Sequence, residues 1–79
     1  NYLTEISMYP NPTQGILIFE QSGNEQITYR ITSLSGQVVS TTTSSDSKVE
    51  IQLHAIESGI YLVEISAAGT TITKRICKH

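Results

Sequence analysis

The chain has 79 residues, a net charge of −2 and a hydrophobic share of 38%. That fits one domain with a thin stability margin, because a chain this short buries only about 60% of the surface its unfolded form exposes. The single cysteine, Cys77, excludes an internal disulfide, the lack of a long apolar run excludes a membrane-crossing helix, and no basic stripe alternates with aromatics as a nucleic-acid surface would require.

Ile, Val and Thr contribute 25 residues against three Ala and one Met, so β-formers dominate and an all-β domain is expected. Alternating apolar and polar residues, punctuated by Gly, Pro, Asn and Ser, predict about seven strands between about residue 5 and residue 77. Glu5 to Tyr9 is a short first strand. It enters the corner Pro10-Asn11-Pro12-Thr13-Gln14-Gly15, where two prolines one residue apart donate no hydrogen bonds and fix their own φ. They are expected to hold Tyr9 and Asn11 extended, with Gly15 taking a positive φ that releases the chain into the next strand.

Ile16 to Glu20 opens on the continuous run Ile16-Leu17-Ile18-Phe19, the mark of a strand covered on both faces or of an edge strand packed by a loop. After a turn at Ser22-Gly23-Asn24-Glu25, Ile27, Tyr29 and Ile31 share one face while Thr28, Arg30 and Thr32 share the other. Ser35-Gly36 predicts a tight hairpin into Val38. The tract from Thr41 to Ser47, short in apolar groups, reads as a mobile connection. Val49, Ile51 and Leu53 then alternate with Glu50, Gln52 and His54, and Tyr61, Val63 and Ile65 do the same after Gly59. Ala68-Gly69 turns the chain into Thr70 to Cys77, where Ile72 and Ile76 face inward. Lys74 shares their parity, so it must sit where the sheet frays or reach out along its stem. With no repeat and no internal linker, these short strands predict two packed antiparallel sheets.

The charges are uneven. All seven acids lie at or before Glu64, whereas three of the five bases are Lys74, Arg75 and Lys78. Read blandly, this is a basic end pairing with acidic neighbours; read functionally, it is a local positive field that orients a partner.

Little here points to chemistry. His54 lies on an outward face, His79 is terminal, and Cys77 has no histidine paired with it by motif, so no nucleophile, base and orienting group converge. One Cys and two distant His do not make a tetrahedral metal set, and Glu50 and Glu64 read as solvating carboxylates. No catalytic, metal or cofactor site is expected, and the chain is not expected to be an enzyme. Proline in the middle of Asn11-Pro12-Thr13 rules out a glycosylation sequon. A sugar platform needs a flat set of aromatics. There is no Trp, and Tyr29 and Tyr61 are expected to fill the core with their hydroxyls at its rim, leaving only Tyr2 and Tyr9 as contacts.

Four segments in order carry a resemblance: Tyr9 to Gly15, Leu34-Ser35-Gly36-Gln37-Val38-Val39, Gly59-Ile60-Tyr61-Leu62-Val63 and Thr73-Lys74-Arg75-Ile76-Cys77-Lys78. Together, from about Ile6 to Lys78, they resemble the C-terminal sorting domain of type IX secretion cargo proteins. The resemblance implies an immunoglobulin-like sandwich of about seven antiparallel strands in two sheets, with residues 1–79 a single sorting domain cut from a larger secreted protein. It implies a passenger domain in cis and two sets of partners, the translocon components and a surface sortase that cuts at or upstream of Asn1 to Ile6. The route implied runs through the periplasm to the outer-membrane surface or the medium. Pro10, Asn11, Pro12, Gly15, Gly36, Gly59, Tyr61, Lys74, Arg75 and Lys78 are the recognition residues on this reading, acting through shape, open strand edges and the positive end. Two positions depart from the family pattern: Cys77, where an aliphatic residue is usual, and the ending Lys78-His79, where a lysine or arginine end is usual. A monomer is expected. The alternative is a non-catalytic accessory or adhesion sandwich binding a glycan or a protein, and a third reading is a structural spacer.

Overall fold

The computed structural model describes residues 5–79. Seven strands follow one another: β1 (Ser7–Tyr9), β2 (Ile16–Glu20), β3 (Ile27–Ser33), β4 (Val38–Ser44), β5 (Lys48–Gln52), β6 (Gly59–Ala67) and β7 (Thr70–Lys78). They form a three-stranded sheet, β1-β2-β5, and a four-stranded sheet, β4-β3-β6-β7. All neighbouring strands within the sheets run antiparallel.

The period-2 alternation explains the layering. Leu17 and Phe19 of β2, Val49 and Ile51 of β5, Ile27, Tyr29 and Ile31 of β3, and Tyr61, Val63 and Ile65 of β6 all point inward and are buried. Ile6, Leu53 and Ile76 complete one continuous core, with Met8, Val39, Ile56 and Ile72 packed at its margin. The Phe19 and Tyr29 rings meet between the sheets, their centroids 4.4 Å apart and their planes inclined by 32°. Tyr29 is wholly buried, so its hydroxyl lies inside the sandwich and not at the rim expected for it.

Two further expectations need correction. β2 is the central strand of its sheet: its apolar run is explained by an inner face, Leu17 and Phe19, and a half-buried outer face, Ile16 and Ile18. The tract from Thr41 is not a mobile connection, because β4 continues through Ser44 and pairs with β3 from Thr32↔Val38 to Ile27↔Ser44. β-Branched threonine suits a pleated surface without being apolar, and an edge strand needs only one neighbour. The Thr28 and Thr43 hydroxyls bond across that pair at 3.0 Å. A register shift between Ile31 and Thr32 absorbs one extra β4 residue.

Each hairpin is closed by its turn chemistry. The β3–β4 loop is Leu34-Ser35-Gly36, with Gly36 at φ +94° and Ser33 N–H donating to the Gln37 carbonyl at 2.8 Å. That three-residue loop with glycine in the left-handed position throws Leu34 into solvent. Ala68 and Gly69 both take positive φ, 51° and 81°, and return β6 directly into β7.

Candidate functional site

The proline corner and the last strand form one structure, joined by Asn11 contacts that span 64 and 66 residues of sequence. Both X-Pro bonds of the corner are cis. Between the prolines, the Asn11 side chain reaches β7 and behaves as a piece of backbone: Nδ2 donates to the Arg75 carbonyl at 3.2 Å, and Oδ1 accepts from the Cys77 N–H at 3.1 Å. Thr13 continues the seam as a parallel bridge to Lys78. Its N–H donates to the Cys77 carbonyl and its carbonyl accepts from the His79 N–H, both at 2.9 Å. The outward backbone groups of β7 are thus satisfied in cis from the Arg75 carbonyl to the His79 N–H. Alternation leaves the earlier outward groups of β7, those of Thr71 and Thr73 and the Arg75 N–H, uncovered by the corner.

The corner is held from beneath. Thr13 is fully buried; its hydroxyl donates to the Ile16 carbonyl and accepts from the Gly15 N–H at 3.2 Å. Gly15 does not adopt the positive φ expected of it, since the glycines with positive φ are Gly36, Gly59 and Gly69. It is glycine for another reason: a Cβ there would overlap the imidazole of His54 at Nδ1 and Cε1. The Gly15 carbonyl also accepts from the Leu53 N–H at 2.6 Å, tying the corner to the end of β5.

Gly59 opens β6 at φ +153°. Tyr61 is buried, and its hydroxyl donates to the Glu57 carbonyl at 2.7 Å, fixing the loop that leads into its own strand. The three bases of the tail do not form one positive surface. Strand pleating puts Lys74, opposite Val63, and Lys78 on the inner parity and Arg75 on the outer face. Lys74 is half-buried, Lys78 only 9% exposed and Arg75 exposed. Pro10, Asn11 and Pro12 are all exposed.

With this geometry in place, comparison with known proteins is decisive. The family model for the secretion system C-terminal sorting domain matches residues 7–79, which include both the corner and the strand it clamps. The chain belongs to that family. No curated protein matches it. Among solved structures, the sorting domain is similar to a DUF3244 family protein with an immunoglobulin-like β-sandwich fold from Bacteroides vulgatus, with 20% identity, a TM-score of 0.81, and 95% of this chain and 84% of that chain covered. It is also similar to PorZ, a surface component of the type IX secretion system of Porphyromonas gingivalis, with 20% identity and a TM-score of 0.71. That match covers 99% of this chain but 12% of PorZ. At these identities the likeness shows the fold, an immunoglobulin-like sandwich.

The sorting domain carries sparse side-chain chemistry. Among the described residues no group of three His, Cys, Asp or Glu could hold a metal ion, and no helix is long and apolar enough to cross a membrane. Cys77 is a half-buried free thiol, and His54 is exposed beside Gly15. Of the two candidate sugar contacts, Tyr2 lies outside the described residues. Tyr9 is exposed, and its phenol donates to Glu20, which, with some burial and the carboxylate's charge, raises its pKa above the ordinary value. The sequence placed the corner and the tail side by side in function but gave no sign of the Asn11 clamp. Its partners lie 64 and 66 residues away, a separation at which no local pattern operates.

Proposed function

We propose that this domain is a folded address label. It rides behind a passenger in cis, docks from the periplasmic side on the outer-membrane translocon of the type IX system, and is removed at the surface by a sortase that cuts ahead of the sandwich. The observation that carries this reading is the family match over residues 7–79, together with a sandwich whose terminal strand is closed by its own proline corner. The label is the substrate of export and cleavage and not their catalyst.

Ile6 is a core residue, 4% exposed. A cut that leaves the sandwich whole therefore falls before it; of the candidate region at or upstream of Asn1 to Ile6, residues 1–4 lie outside the described residues. The clamp also refines how recognition works. Strand addition along β7 beyond Arg75 is blocked in cis, so recognition rests on side-chain surface and on the edges that stay open. Intact-mass measurement of a passenger recovered from the cell surface tests the cleavage: the passenger should end upstream of Ile6, and a surface passenger still carrying residues 7–79 would contradict it.

A further inference from the structure

Among the described residues, three of the four large apolar side chains that stand exposed, Leu34 (66%), Val38 (49%) and Ile60 (41%), gather at one end of the outer face of the four-stranded sheet. Strand register brings them together. Val38, Thr32, Leu62 and Arg75 lie in one row across β4, β3, β6 and β7. Ile60, opposite Cys77, is two residues before Leu62 on the same face. Leu34 follows Ser33, whose partner on β6 is Tyr61. A shallow cleft of about 250 Å³ ends the strip, lined by Asn11, Ile60, Arg75, Ile76 and Cys77.

Nothing in folding calls for these groups. A leucine in a solvent-facing turn and an isoleucine two-fifths exposed add little to the core, and exposed apolar side chains clustered within a polar rim mark an interaction surface. The charges on this face say what would cover it. Arg30 is matched by Glu64 at 2.9 Å in the row defined by Arg30↔Glu64. Arg75, next to Leu62 and Ile60, has no carboxylate partner among the described residues.

Building on the sorting reading, we infer that this strip is the surface the translocon reads. Its occupant is a protein surface that seats an apolar side chain in the Ile60–Cys77 cleft and sets a carboxylate on Arg75. An apolar anchor in a pocket beside a matched charge is the usual make-up of an interface hot spot. The Asn11 clamp shapes the strip, because Asn11 forms one wall of the cleft and holds Arg75 and Cys77 through their backbone groups.

The test fuses the chain, with a short upstream segment, behind a periplasmic reporter in a bacterium with a type IX system. Two strip variants, Arg75→Glu and the pair Leu34→Ser with Ile60→Ser, are compared with a same-face control, Arg30→Glu with Glu64→Arg. All change exposed or half-buried positions, and Arg75→Glu leaves the apolar groups intact, so folding is read by thermal melting of each. The expected result is that the parent and the control export, while folded strip variants lose export by about tenfold or more, the loss that follows from removing a hot spot. Folded strip variants that export like the parent would overturn this inference and leave the sorting reading standing. A parent retained in the periplasm would overturn both. A parent that elutes as a dimer in size-exclusion chromatography, with monomeric strip variants, would assign the strip to a second copy of the chain and refute the translocon as its occupant.

Discussion

Replacing Asn11 by alanine isolates the clamp between the corner and the last strand. The change removes two hydrogen bonds to β7, those to the Arg75 carbonyl at 3.2 Å and from the Cys77 N–H at 3.1 Å. A net intramolecular hydrogen bond contributes about 0.5–1.5 kcal/mol, and water can replace both of these exposed bonds, so the loss falls toward the lower end, about 1–2 kcal/mol in all. Against a total of about 4–12 kcal/mol for a chain of this length, that is a substantial share. At about 4–8 °C per kcal/mol for a small domain, Tm should fall by roughly 4–16 °C. Thermal and urea unfolding give the stability, and amide hydrogen exchange locates it: protection should drop at Cys77, while the Val63 amide, in the middle of β6, should respond only as far as global stability falls. Asn11→Asp keeps the acceptor for Cys77 N–H but sets a carboxylate against the Arg75 carbonyl, and should be no more stable than the alanine variant. An alanine variant with unchanged Tm and unchanged Cys77 protection would refute the clamp.

Three other outcomes follow from single contacts. Gly15→Ala should cost about 1 kcal/mol or more by pressing on His54, and His54→Ala should recover part of that loss, a coupling readable in a double-mutant cycle; additive effects would contradict the close approach. Tyr61→Phe keeps the ring in the core but strands the Glu57 carbonyl, and should lower stability by about 0.5–1.5 kcal/mol, seen as a shifted urea midpoint with unchanged m-value. Because the folded-state pKa of Tyr9 is raised, the stability linked to its protonated phenol is fully present below the ordinary phenol value and is lost as pH rises through the folded value; Glu20→Gln should move the ultraviolet titration of Tyr9 downward, and no movement would remove Glu20 as the cause.

Much of the fold was legible because alternation is a direct image of the pleat. Parity alone puts Ile27, Tyr29 and Ile31, Val49 and Ile51, and Tyr61, Val63 and Ile65 inward, and all are buried. Parity fails where a strand has little to bury. β4 carries Ser40-Thr41-Thr42-Thr43-Ser44 at a sheet edge, so threonine's fit to the pleat, and not its polarity, decides the structure there. In the tail charge misleads: Lys74, Arg75 and Lys78 are near neighbours in sequence, but pleating sends Arg75 one way and Lys74 and Lys78 the other. At Gly15 the residue type was informative but its cause was not, because His54 is brought beside it only by the β2–β5 pairing. The clamp had no local signature at all, and the apolar strip needed the register of four strands before Leu34, Val38 and Ile60 could be seen as neighbours.

The central claim, that this sandwich directs export, is tested most directly by locating a periplasmic reporter fused ahead of residues 1–79 and a short upstream segment in a bacterium with a type IX system. The reporter should reach the cell surface or the medium, and deleting Lys74 to His79 should hold it in the periplasm, since the deletion removes buried Ile76 and every β7 partner of Asn11 and Thr13. Losing a buried isoleucine alone costs about 2–5 kcal/mol, so the deletion is read beside Lys74→Gln with Lys78→Gln, which keeps the strand and removes two charges that lie off the exposed face. That variant should fold and export. A folded, intact label that leaves its reporter in the periplasm would contradict the account.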